Sequence, residues 1–150
     1  MRLLVDTNVF VDCLANRQPF AEKATLLMIA GKVGEFELWM SSSQATDLLY
    51  ILSDGGKRTR MPQAVAAVDG LLDFVNVYKT GKAEIRESLA SAWSDPEDAI
   101  LHVIAQRIEA RAIITRNGAD FEQSMIPVRS AQEFFADLER DGVVYDLLDA

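Results

Sequence analysis

The 150-residue sequence predicts an α/β fold: a three-layer α/β/α sandwich around a central, mainly parallel sheet of four to five strands. Three observations carry this. Short apolar runs alternate with stretches of helical periodicity, and such alternation builds parallel sheets through right-handed crossovers. The first four runs are mostly apolar on both faces, as strands covered by helices on each side must be. The composition, 49% apolar and 25% charged, suits a packed core and one domain spanning residues 1–150.

In chain order, strand-like runs occur at Leu3–Val5, Glu37–Met40, Val75–Tyr78 and Ala112–Thr115, with a fainter fifth at Ile126–Val128. Between them, helical patterns cover Val9–Ala15, Phe20–Lys32, Gln44–Ser53, Pro62–Asp73, Lys82–Trp93, Glu97–Ala110 and Ala131–Arg140. Two helix starts are marked. Ser41-Ser42-Ser43-Gln44 offers a capping box before Leu48, Leu49, Ile51 and Leu52. In "SDPED", Ser94 or Asp95 can cap a helix that takes Pro96 in its first turn.

The bounds on function follow from charge and cysteine content. A net charge of −8, from 15 basic and 23 acidic residues, argues against non-specific binding of nucleic acid or anionic membrane. It leaves room for acids gathered around cations. The single cysteine, Cys13, cannot form an intramolecular disulfide and reads as an inert core thiol, which suits a cytoplasmic setting. Asp6 and Asp12 interrupt the only N-terminal apolar stretch, so neither a signal peptide nor a membrane span is expected.

Ligands of open parallel sheets bind at the carboxyl ends of the strands. Asp6 closes the first strand, and Asp47 opens the helix after the second. Asp98 begins the helix that leads into the fourth strand, and Asp120 follows that strand through "TRNGAD". Four segments thus bring carboxylates to one rim. Bare carboxylates so placed either hold protons or surround a hard cation, and oxygen-only ligands suit Mg²⁺ or Mn²⁺. Taken singly, each acid has a plainer reading. Asp6 can be a turn former or N-cap, Asp95 a cap, Asp98 a helix-dipole partner, Asp47 a solvated acid and Asp120 the cap of a short turn.

"LLVDTNVFVD", "SDPEDAILHVIA" and "AIITRNGADF" together resemble the PIN domain family, from the first strand to about Arg129, and most closely the bacterial branch that includes toxins of toxin–antitoxin modules. The resemblance implies a metal-dependent ribonuclease that cleaves a phosphodiester at an acidic pocket holding Mg²⁺ or Mn²⁺. By position, Asp6 matches the first-strand metal ligand and Asn8 the residue orienting it. Asp98 matches the central helix acid, with Asp95 beside it. Thr115, Asn117 and Asp120 match the last motif, with Asp47 as the fourth ligand. Two positions depart from the family pattern: Asp47 stands where Glu is common, and Asn117 where many relatives carry Asp. The resemblance also implies an RNA substrate, a small antitoxin partner and a homodimer.

Arg116 is the best-placed phosphate contact, whereas Lys57, Arg58 and Arg60 of "KRTR" read first as a solvated turn. His102 reads as a packing residue rather than a base, and Trp39, Trp93 and Phe121 as core. Val143–Leu148 is apolar enough to pack on the domain or on a partner. Two other functions compete. A degenerate PIN domain would bind protein or RNA without cutting. A haloacid-dehalogenase-type phosphatase wants an acid two residues after its nucleophile, where Asn8 stands.

Overall fold

The computed structural model describes residues 1–146. Five parallel strands lie in the order β3-β2-β1-β4-β5: β1 (Arg2–Val5), β2 (Glu37–Ser41), β3 (Val75–Tyr78), β4 (Ala112–Ile114) and β5 (Val128–Arg129). The chain builds outward from β1 to β3, then returns to the other side of β1 for β4. The strand order therefore reverses between β1 and β4.

The strand period of two sends neighbouring side chains to opposite faces. Leu3 and Val5 enter one core with Leu38, Met40, Val75 and Ile114. That core is covered by α1 (Thr7–Leu14), α2 (Ala21–Lys32), α3 (Gln44–Leu52), α4 (Met61–Leu71) and α7 (Ala131–Arg140). Leu4 and Ile113 enter the other, against Leu101 and Ile104 of α6 (Pro96–Arg107) and Ile108 at its C-cap, with α5 (Lys82–Leu89) packed alongside α6. Helices on both faces make the α/β/α sandwich that the apolar strands predict. The closeness of α2 to the sheet depends on Gly31, where a Cβ would collide with the Leu38 side chain.

Most element edges agree with the sequence pattern, and the exceptions have physical causes. The first helix begins at Thr7 instead of Val9, because the Asp6 side chain caps it by accepting from the Thr7 backbone N–H. Only half of the expected capping box forms before α3. Gln44 Oε1 accepts from Ser41 N–H at 2.7 Å, but Ser41 belongs to β2 and its hydroxyl turns to Ser43 and Thr80 instead. The helix expected over Lys82–Trp93 stops at Leu89. Trp93 is drawn away to stack on His102 at 4.8 Å between ring centroids. The fifth strand is Val128–Arg129, later than its apolar run suggests, since Ile126 packs into the α6-side core.

Among the described residues, no helix is long and apolar enough to cross a membrane. Tyr145, from the apolar C-terminal run, packs against Phe36 and Phe135. Leu147 and Leu148 of that run lie outside the described residues.

Candidate active site

The β1–β4 boundary is the topological switch point, the place where open parallel sheets bind ligands. Asp6 stands there, its backbone N–H donating to Ile114 C=O at 2.9 Å. Three donors orient its carboxylate. Oδ1 accepts from Thr7 N–H at 2.7 Å, and Oδ2 accepts from the Thr115 hydroxyl at 2.8 Å and from Asn8 Nδ2 at 3.3 Å. The partners are themselves held: Asn8 Oδ1 accepts from Arg116 N–H, and Thr115 Oγ1 accepts from Asn117 N–H. Asn8, Thr115 and the Asn117 backbone therefore act on Asp6, while the Asn117 side chain lies exposed.

The other acids converge on the same rim from separate elements. Asp95 caps α6 by accepting from Glu97 N–H at 2.9 Å, which realises one of the two caps the sequence offers. The cap places Asp98 in the first turn of α6, whose axis then runs back beneath the sheet. Asp120 lies in a short 3-10 turn, Gly118–Phe121, anchored by the buried Phe121. Desolvation first, then the charges of Asp95, Asp6, Asp120 and Glu97, push the Asp98 carboxyl up to about 7. Burial likewise raises Asp6, and Asp120 adds to it, outweighing the opposing hydrogen bonds from Thr115 and Thr7.

Asp47 stands on the α3 flank of this group, and its neighbour is a residue that the sequence reading passed over. Desolvation first, then the charges of Asp47, Asp95 and Asp6, raise the proton affinity of Glu97 above that of an ordinary carboxylate. Asp47, Glu97 and Thr7 line a shared cleft of about 340 Å³. The signal for Glu97 lay in "SDPED": an N-cap at Asp95 puts Glu97 and Asp98 both in the first turn, facing the rim. Gln44 was also missed. It is buried, with Nε2 donating to Val5 C=O at 2.9 Å and to the Thr7 hydroxyl, so it ties the end of β2 to the end of β1. An amide in a capping pattern gives no hint of that reach.

The remaining residues fall into place around the rim. Arg116 Nε donates to Asp12 Oδ2 at 2.6 Å, and its guanidinium lies 4.3 Å over the Phe20 ring. His102 accepts from Met125 N–H through Nε2, and burial lowers its proton affinity, as befits a packing residue. Phe121 is core, and Trp39 and Trp93 pack partly buried against the same cluster. Cys13 accepts from the Thr25 hydroxyl, and burial pushes its thiol up, away from the reactive thiolate. Lys57 pairs with Asp54 in the exposed turn that also carries Arg58 and Arg60.

The acids sense one another across the rim, yet among the described residues no three His, Cys, Asp or Glu side chains already form a coordination shell. Burial raises the proton affinities of Asp6, Glu97 and Asp98 first, and the charges of the neighbouring acids add to it. The donor set fits a hard divalent cation. It is all oxygen, it draws on Asp6, Asp98 and Asp120 with Asp47 at the flank, and burial with neighbouring carboxylates raises the proton affinities of Asp6 and Asp98.

A parallel sheet of this order, with acids at its switch point, defines a class, and a family profile described as PIN domain matches residues 2–119. The chain belongs to the PIN domain family. It is similar to Ribonuclease VapC1 of Aquifex aeolicus (strain VF5), at 26% identity over 141 residues, covering 89% of this chain and 92% of that protein. Its fold is similar to a chain of VapBC2 from Rickettsia felis bound to a DNA fragment from their promoter, with a TM-score of 0.59 and 17% identity over 87% of this chain and 98% of that one. It is also similar to a chain of VapBC-1 from nontypeable Haemophilus influenzae, with a TM-score of 0.61 and 18% identity over 88% of this chain and 99% of that one.

Proposed function

We propose that this protein is a metal-dependent endoribonuclease and the toxin of a toxin–antitoxin pair. The observation that carries the reading is the convergence of Asp6, Asp98 and Asp120 at the β1–β4 switch point, where burial first and neighbouring carboxylates second raise the proton affinities of Asp6 and Asp98. Asp6, Asp98 and Asp120, with Asp47, would hold Mg²⁺ or Mn²⁺. Bound there, the cation would lower the pKa of a water and offset charge on a phosphoryl oxygen.

The protein's own groups prepare the site. Thr7, Asn8 and Thr115 fix one orientation of the Asp6 carboxylate and leave a lone pair on Oδ1 for a further partner. Asp98, near 7, can hold or release a proton at its carboxyl oxygens at neutral pH. Glu97, its proton affinity raised by burial and by the nearby Asp47, borders the group on the α3 side. RNA as substrate is supported by family membership and by the likeness to Ribonuclease VapC1. The likeness to chains of VapBC2 and VapBC-1 supports a small antitoxin partner, and a homodimer rests on the family resemblance alone.

The test is cleavage of a structured-RNA panel with Mn²⁺, Mg²⁺ or EDTA, for wild type and Asp6→Asn in parallel. Metal-dependent cutting lost in the variant upholds the reading. One alternative is a degenerate PIN domain that binds without cutting, which rests on Asp47 and Asn117 standing where the family pattern has Glu and Asp. No cutting with either metal and no calorimetric metal binding would select it.

A further inference from the structure

Gln44 is 2% exposed, and both polar atoms of its side chain are engaged. Oε1 accepts from Ser41 N–H at 2.7 Å, while Nε2 donates to Val5 C=O at 2.9 Å and to the Thr7 hydroxyl at 3.2 Å. A backbone N–H only donates and a carbonyl only accepts, so one orientation of the amide serves both strand ends. The helix that carries it gains no cap from its neighbour: Ser43, at the N-cap of α3, makes no side-chain cap hydrogen bond. The first turn of α3 is thus tied to the sheet rather than capped on itself, and sequences break local rules of this kind where a site requires it.

What the amide holds is the mounting of Asp6. The peptide joining Val5 to Asp6 is fixed on both sides: its N–H donates to Ile114 C=O at 2.9 Å, and its C=O accepts from Gln44. Thr7, whose hydroxyl Gln44 also holds, donates its own N–H to Asp6 Oδ1 at 2.7 Å. At the other end, Gln44 shares the first turn of α3 with Asp47, and both line the cleft of about 340 Å³ together with Thr7. Among the described residues, no other α3 side chain is hydrogen-bonded to β1 or α1. An amide needed only to satisfy strand ends would stop at Ser41 and Val5. The bond to Thr7 carries the contact on towards the carboxylate.

We propose that Gln44 is a positioning residue of the cation site: it fixes the Asp6 carboxylate relative to Asp47, so that acids from β1 and α3 are held at a set spacing for one divalent cation. The inference rests on the metal-dependent reading and deepens it, because it names a neutral residue, outside the acids themselves, that sets their affinity for the ion.

The test is calorimetry of Mn²⁺ binding to the full chain, with no RNA present. Gln44→Met keeps the length of the side chain and removes all three hydrogen bonds, so Mn²⁺ should bind about tenfold more weakly. Thr7→Val keeps the shape and loses the hydroxyl, whereas Thr7→Ser keeps the hydroxyl and loses the methyl. Thr7→Val should weaken Mn²⁺ by about threefold, the worth of one modest hydrogen bond, and Thr7→Ser should bind as wild type does. Leu27→Ala, in the core of α2, should lower the melting temperature and leave Mn²⁺ affinity unchanged. Wild-type affinity in Gln44→Met, or affinities that simply follow melting temperature through Leu27→Ala, overturns the inference and leaves the cation site standing. If Gln44→Met fails to fold, the Thr7 pair decides, and a Thr7→Val that binds as tightly as Thr7→Ser overturns it. No Mn²⁺ binding by wild type is a different result, which removes the metal-dependent reading and the inference together.

Discussion

The two ends of α1 carry the same residue in opposite circumstances. Asp6 caps the helix and Asp12 lies near its last turn, and both are drawn out of water beside the Thr115–Arg116 strip. Asp12 is matched by a guanidinium at 2.6 Å, itself laid over Phe20. Asp6 takes hydrogen bonds only from neutral donors, Thr7, Asn8 and Thr115, while Asp120 bears on it as a second negative charge and Arg116 offsets this only weakly through space. A carboxylate with a resident cation is a structural joint. Under the proposed function, Asp6, oriented by hydrogen bonds and with its proton affinity raised first by burial, would take its cation from solution.

The contrast breaks most sharply at Asp6. Asp6→Asn should lower Mn²⁺-dependent RNA cleavage by at least about a hundredfold, beyond the 10–100-fold typical of residues that only support a ligand. Its melting temperature without metal should hold or rise, because a desolvated charge is gone. A large loss of stability would show that Asp6 is a joint like Asp12. Thr115→Val removes one of the two donors to Asp6 Oδ2 and should weaken Mn²⁺ affinity by about tenfold, read by calorimetry.

Asp12→Ala should do the converse and act on stability. It leaves Arg116 unpaired, but Arg116 keeps 27% exposure, so the expected cost is about 2 kcal/mol, below the 3–5 kcal/mol of a fully buried pair. For a domain of this size that is a fall of roughly 4–8 °C in melting temperature. A fall under about 1 °C would deny the ion pair its structural role.

The smallest expected effect is a pH slope. Asp98 moves from 3.8 to about 7 on folding, so between those values the folded state holds a proton that the unfolded state has released. Its contribution therefore favours the fold at acid pH and is lost as pH rises through about 7. Asp98→Asn should flatten the fall in metal-free melting temperature between about pH 5 and pH 8. Protons compete for the same oxygens, so Mn²⁺ affinity in wild type should rise over the same interval. An unchanged slope in the variant would place the titration elsewhere.

Much of this was legible from the chain. "LLVD" announces a buried strand ended by an acid, and "SDPED" announces a capped helix start; both stand where the pattern puts them because caps and apolar periods are local properties. Glu97 was passed over because an exposed first-turn acid looks like a dipole partner until Asp47 is seen beside it. Gln44 was read as half of a capping box, and its second role reaches 39 residues back to Val5. Asp12 looked only like a break in an apolar run, since its partner stands 104 residues away.

By itself, the sequence determined the parallel α/β sandwich, the strand ends and helix caps that carry Asp6, Asp95 and Asp98, and the oxygen-only chemistry of the rim, for all of these follow from neighbouring residues. Tertiary structure alone decided which acids face a cation and which face one another: that Arg116 goes to Asp12 and not to Asp6, and that Glu97 meets Asp47. Charge acts through space at a few ångströms, and only the folded chain sets those distances.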